Sequence, residues 1–293
     1  PDVISLDIRL PGMNGLEATL QIMSENPTPI VVIADNVQGT DLNISMGALR
    51  AGALAVVEKP VGQLHRDYEQ NAGNICDQLV TMSSIRLVRQ RFNQIRKDSY
   101  ERVRPPVTFK ILAIVASTGG PGALVQLLQS LPEKLPVPVV LVQHITGSFL
   151  QSFAEWLSSN CAYPVSIAFS GEVPRPGRIY MAPPEHHLEV SEKCLILSRS
   201  APVCCQRPSG TVLLNSVAEV YGRSSIGIVL TGMGNDGAAG LLEMKRAGAY
   251  TIAEDESTAV IYGMPAAAAE LGAVVESLPI HTIGTRVTTL LHE

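Results

Sequence analysis

The pattern of apolar runs predicts an α/β protein, with a doubly wound, mostly parallel sheet over the larger C-terminal part and a shorter strand–helix unit in front of it. Three observations carry this expectation. Strand-like and helix-like apolar patterns alternate along the chain, several strand-like runs end abruptly in polar or glycine-rich turns, and the alternation lapses once, in a polar basic stretch from about His65 to Pro106.

Taken in order, Val3 to Leu6 reads as a strand, Pro11 to Gly15 as a turn, Leu16 to Met23 as an amphipathic helix and Pro29 to Ala34 as a buried strand. A second helical pattern, Ile44 to Arg50, leads through Gly52 into the strand-like Ala53 to Val57, which stops at Glu58, Lys59 and Pro60. Because the sequence opens at Pro1 directly before a strand, it is expected to start inside a domain. The basic stretch sets Arg86, Arg89, Arg91, Arg96, Lys97, Arg102 and Arg104 against Asp98 and Glu101 and reads as a linker. Ile75, Leu79, Met82, Ile85 and Val88 recur there at helical spacing, which predicts a helix ending before Pro105 and Pro106. Such a helix covers a seam between domains, or docks a partner. Strand patterns then resume at Ile111 to Val115, Val137 to Val142, Val165 to Ala168, Ile179 to Met181, Ile226 to Leu230 and Tyr250 to Ala253, with helical stretches at Leu124 to Leu131 and Phe149 to Leu157. The chain thus divides into residues 1–64, 65–107 and 108–293.

Composition narrows the function classes. With 293 residues, 46% of them hydrophobic, the chain can bury ordinary cores, and its net charge of −5 argues against nucleic acid as a main partner. The five cysteines show no Cys-x-x-Cys spacing, and the adjacent Cys204 and Cys205 are poorly placed for a disulfide or a zinc site, which fits a reducing compartment. No apolar run approaches the roughly 18 residues of a membrane span and no leader pattern opens the chain, so a cytoplasmic location is expected.

Three strand ends carry residue types that suit acyl transfer. Ile111 to Ala116 runs into Ser117-Thr-Gly-Gly-Pro-Gly122, where a hydroxyl could act as nucleophile, help amides hold a phosphate, or cap a helix. The strand Val137 to Val142 ends in Gln143 and His144, and an imidazole there suits a general base better than ribose binding, which wants an acid. His186 and His187 are rivals for that role. After Ile226 to Leu230, the loop Thr231-Gly-Met-Gly-Asn-Asp236-Gly can aim a carboxylate at the imidazole, with Asp255 as a rival.

Ala116 to Gly120, Gln143-His144, Ala182-Pro183, Arg207-Pro-Ser209, the run Leu230 to Gly240 and Tyr262-Gly-Met-Pro265 closely resemble the CheB-type protein-glutamate methylesterase domain, from about Ile111 to the C-terminus. The resemblance implies Ser117 as nucleophile, His144 as base and Asp236 as its orienting acid, with the amides of Thr118 and Met233 as oxyanion hole. It implies hydrolysis of glutamate γ-methyl esters, and deamidation of glutamines, on the cytoplasmic domain of methyl-accepting chemoreceptors, with no cofactor for the esterase. After Ser209 the family often continues Val-Asp, whereas this chain has Gly210 and Thr211. Residues 1–64 resemble the C-terminal part of a response-regulator receiver domain. There Asp7 matches the phosphate-accepting and metal-binding aspartate and Lys59 the lysine that contacts the phosphoryl group. Ala34 stands in place of the usual switch hydroxyl and Val56 in place of a common aromatic. A histidine kinase as phosphodonor and Mg²⁺ are implied for an intact receiver. A phosphate- or nucleotide-binding scaffold without covalent chemistry is the alternative reading of the glycine-rich loops.

Overall fold

In the computed structural model the described residues are 1–34, 40–59, 68–83 and 107–292. The first part holds strands β1 (Ile4–Asp7), β2 (Ile30–Ala34) and β3 (Ala55–Glu58), with helices α1 (Gly15–Glu25) and α2 (Thr40–Arg50) between them and α3 (Tyr68–Ser83) after them. The strands pair in parallel in the order β1-β2-β3. Helix α1 starts where it does because Asn14 and Glu17 form a reciprocal capping box, each side chain accepting the other's backbone N–H at 2.9 and 3.1 Å.

The larger part holds β4 (Ile111–Ala116), α4 (Gly120–Gln129), β5 (Val139–Gln143), α5 (Gly147–Asn160), β6 (Val165–Ile167), β7 (Ile179–Met181), the hairpin β8 (His187–Val190) and β9 (Leu195–Ser198), α6 (Gly210–Tyr221), β10 (Ser225–Val229), α7 (Ala238–Arg246), β11 (Tyr250–Glu254), α8 (Met264–Glu270), β12 (Glu276–Leu278) and α9 (Ile280–His292). Seven strands form one sheet in the order β12-β11-β10-β4-β5-β7-β6, every pair parallel. The expected strands are therefore present, with ends that differ by up to two residues. Helices α6, α7, α8 and α9, strand β12 and the β8–β9 hairpin had no counterpart in the apolar-run reading. The expected helix beyond Ser83 falls outside the described residues.

Both faces of the sheet are covered, which is why its strands read as continuous apolar runs. Along β4, Leu112, Ile114 and Ala116 point into the core under α4, α5 and α9, with Leu124, Phe149, Phe153 and Val287. Ile111, Ala113 and Val115 point the other way, against Leu213 and Val217 of α6 and Leu241 and Met244 of α7. Chain order reverses at β4: β5 lies on one side and β10 on the other. Crevices at the carboxyl ends of strands flanking such a switch are where open parallel sheets bind ligands.

Helix α7 lies close upon α6. A Cβ on Gly240 would sit 2.7 Å from the Thr211 carbonyl oxygen and 2.7 Å from Leu214 Cβ. Gly240→Ala must therefore push the two helices apart, and we expect a loss of about 1–3 kcal/mol, read as a fall of several degrees in the thermal midpoint.

Candidate active site

Adjacent strands β10, β4 and β5 each deliver a polar residue just past their carboxyl ends. Ser117 follows β4, His144 follows β5, and Asp236 lies in the loop between β10 and α7. The main chain seats the first two: Ser117 N donates to Thr231 O and His144 N donates to Ala116 O, each at 3.0 Å. Ser117 does not cap α4. That cap is Gly119, in the left-handed region at φ 79°, while the Ser117 carbonyl accepts from Gly120 N at 2.8 Å. The loop after β10 runs alongside the serine because residue 232 is glycine: a Cβ there would stand 2.7 Å from Ser117 Cβ.

Asp236 is buried and collects four donors. Its Oδ1 accepts from Ser209 Oγ at 2.6 Å and Thr211 N at 3.0 Å, and its Oδ2 from Gly210 N at 2.6 Å and lies 2.9 Å from His144 Nε2. Ser209 is the N-cap of α6, so the carboxylate sits on free amides at a helix start, where negative charge is favoured. Burial alone would push its pKa up, but the bonds from His144, Ser209 and Thr211 outweigh that and hold it at about 2. Asp236 is thus ionised at neutral pH and can only accept, so His144 Nε2 carries the hydrogen between them, and in the neutral imidazole the acceptor is then Nδ1. The departures Gly210 and Thr211 meet the carboxylate with their backbone amides, and Thr211 Oγ1 also accepts from Gly237 N at 2.8 Å.

The rival residues serve elsewhere. His187 is buried, with Nδ1 accepting from Ser209 N at 3.1 Å and Nε2 donating to Ala201 O at 3.1 Å, so it holds the residue that holds Asp236. His186 is half-buried and accepts from Arg199 Nε at 2.8 Å. Asp255 turns back to Ser257 N and Oγ. Thr118 and Met233 flank Ser117 on its two sides in the turn after β4 and the loop after β10, Met233 being half exposed. Among the described residues their amides donate to no protein acceptor.

Two residues here were not legible from the sequence. Gln143, the last of β5, is buried and donates from Nε2 to Ser117 O at 2.9 Å and His144 O at 3.0 Å. Glu254, buried at the end of β11, accepts from Thr231 N at 2.8 Å and Thr258 Oγ1 at 3.1 Å. Burial pushes its carboxyl up to about 7, against the pull of those two bonds.

In the first part of the chain, Asp7 Oδ2 pairs with Lys59 Nζ at 2.6 Å, and Oδ1 accepts from Arg9 N at 3.0 Å. Partial burial raises the Asp7 carboxyl, but Lys59 and the Arg9 amide outweigh it and hold it below the usual range. Asp7 is a single carboxylate, and among the described residues no three His, Cys, Asp or Glu gather as metal ligands, so these residues do not by themselves make a Mg²⁺ site. The same part touches the active-site rim: Gly119 N donates to Leu54 O at 3.3 Å, and Ser148 Oγ donates to Glu58 Oε2 at 3.0 Å. Among the described residues no helix is long and apolar enough to cross a membrane.

Comparison with known proteins agrees with this layout. The profile described as CheB methylesterase matches residues 112–287, and that of the response regulator receiver domain matches residues 1–66. A protein-glutamate methylesterase/protein-glutamine glutaminase of Paramagnetospirillum magneticum is 54% identical, over 99% of this chain and 84% of its own. One from Nitrosospira multiformis is 39% identical, over 100% of this chain and 84% of its own. The crystal structure of the Thermotoga maritima CheB methylesterase catalytic domain superposes with a TM-score of 0.61 at 36% identity, covering 63% of this chain and 100% of that one.

Glu254 gives a pH dependence whose sign is fixed. Its folded pKa of about 7 lies above the ordinary 4.5, so its favourable contribution is complete below pH 4.5 and is lost as pH rises through about 7. Glu254→Gln should flatten the decline of the unfolding midpoint between about pH 4.5 and 7, a difference on the order of 3 kcal/mol. Parallel midpoint curves for the two proteins would show that this carboxyl titrates normally.

Proposed function

Because this chain belongs to the CheB methylesterase family, we propose that it hydrolyses glutamate γ-methyl esters, and deamidates glutamines, on chemoreceptor proteins with Ser117, His144 and Asp236 as its relay. The observation that carries this reading is the 2.9 Å contact between Asp236 and His144 at strand ends flanking Ser117. His144 Nδ1 takes the proton of Ser117 Oγ as that oxygen bonds to the ester carbonyl carbon. Asp236 steadies the imidazolium through Nε2, and the amides of Thr118 and Met233 hold the oxyanion. The imidazolium then returns its proton to the leaving oxygen, methanol departs, and a water deprotonated by His144 releases the glutamate carboxylate and restores Ser117. With glutamine as substrate the leaving group is ammonia.

The receiver part supplies control in this reading. Leu54 and Glu58 rest on the rim beside Ser117, and Glu58 precedes the Lys59 that pairs with Asp7. Phosphorylation of Asp7 by a histidine kinase would draw Lys59 toward the new charge and shift the population toward an arrangement with the rim exposed.

Ser117→Ala should lower methanol release from methylated receptor by roughly 10³- to 10⁶-fold, and a fluorophosphonate should label Ser117 in the parent protein. Unlabelled Ser117 with undiminished turnover in the variant would favour a non-catalytic phosphate-binding scaffold. For control, a small phosphodonor added to the intact protein should raise the esterase rate, and equal rates with and without it would remove the regulatory part alone.

A further inference from the structure

The side chain of Gln143 spans the gap between nucleophile and base. It ends β5, where the sheet register sets it opposite Ala116, one residue before Ser117. From there one amide nitrogen reaches two carbonyls, Ser117 O at 2.9 Å and His144 O at 3.0 Å. Each of its two hydrogens therefore has an acceptor belonging to a residue of the proposed relay. Its Oε1, by contrast, is buried and has no hydrogen-bond partner. The side chain is held by its donors, since rotating the amide by half a turn would set oxygen against two carbonyl oxygens. Space is kept for it at the start of α4, where a Cβ on Gly120 would lie 2.2 Å from Gln143 Oε1.

We propose that Gln143 is a positioning residue of the esterase, fixing the tilt of the Ser117–Thr118 peptide and the spacing of Ser117 from His144 through its two amide hydrogens. This rests on the relay assigned above. The peptide group is planar and trans, so the Ser117 carbonyl and the Thr118 N–H point in opposite directions from one rigid plane. Anchoring that carbonyl aims the Thr118 amide, which is the proposed oxyanion donor. The second hydrogen ties the same amide nitrogen to the His144 carbonyl, so nucleophile and base share one tether. Groups that act on an oxyanion matter in the transition state and little in substrate binding.

The test compares Gln143→Glu and Gln143→Met with the parent protein and Ser117→Ala, on methylated receptor, with rates expressed per active site titrated to completion by a fluorophosphonate. Counting labelled sites removes unfolded molecules from the comparison. We expect kcat per site to fall roughly 10- to 100-fold in both variants, with KM within about twofold, because one oxyanion donor is misaligned and not deleted. In Gln143→Glu the rate should recover in part as pH falls, since a protonated carboxyl regains one donor, while Gln143→Met shows no such recovery. A kcat per site within about twofold of the parent in either variant overturns the proposal, as does a loss confined to KM. Failure of the relay itself reads differently: Ser117→Ala then keeps its turnover and the fluorophosphonate leaves Ser117 unmodified.

Discussion

The carboxylate of Asp236 is the point on which this arrangement turns. A buried negative charge is tolerated only when its oxygens are satisfied, and here Ser209, Gly210, Thr211 and His144 all converge on it. Three separate pieces of chain are joined by that requirement: the start of α6, the end of β5 and the loop after β10. The orientation of His144 follows from it, and in the proposed relay so does the choice of Nδ1 as the nitrogen that serves Ser117. His187 extends the same logic outward by accepting from the Ser209 amide.

The sheet makes that convergence possible. With β4 between β5 and β10, residues that follow three neighbouring strands are brought to one edge of the sheet, although far apart in sequence. Thr231 binds the layers together from below: its carbonyl accepts from Ser117 N, its hydroxyl donates to Thr118 O, and its amide donates to Glu254. Rigid strand ends, and not a flexible loop, thus hold the turn that carries Ser117, which is what a site needs to keep reacting groups near productive geometry.

Much of this was legible in the sequence, and what escaped did so for identifiable reasons. Strands buried on both faces write themselves as apolar runs, so β2, β4, β5, β10 and β11 were readable, and the polar residues that end β4 and β5 stood out against them. Ser117, His144 and Asp236 were nominated by position. Gln143 was not given a role, because its partners are carbonyl oxygens that no side-chain pattern reports. Ser209 stood only within the Arg207-Pro-Ser209 stretch of the resemblance, and only the fold brings it to a carboxylate 27 residues further on. Glu254 shows nothing in sequence of its burial. The hairpin β8–β9 is too short for a periodic signal, and the helices α6 and α7 are broad apolar or small-residue faces that single-sequence periodicity left unassigned.

The pairing order of the central strand has a consequence for how the molecule comes into being. β4 meets β5 within the next stretch of polypeptide, yet its other neighbour, β10, begins only at Ser225. Long-range parallel pairing of this kind forms slowly, after the loop-closure entropy of the intervening chain has been met. On a ribosome-bound nascent chain, Ser117 and His144 therefore emerge well before Asp236 has been synthesised. In the proposed relay, a translation product that ends before β10 and its loop lacks the carboxylate that pairs with His144.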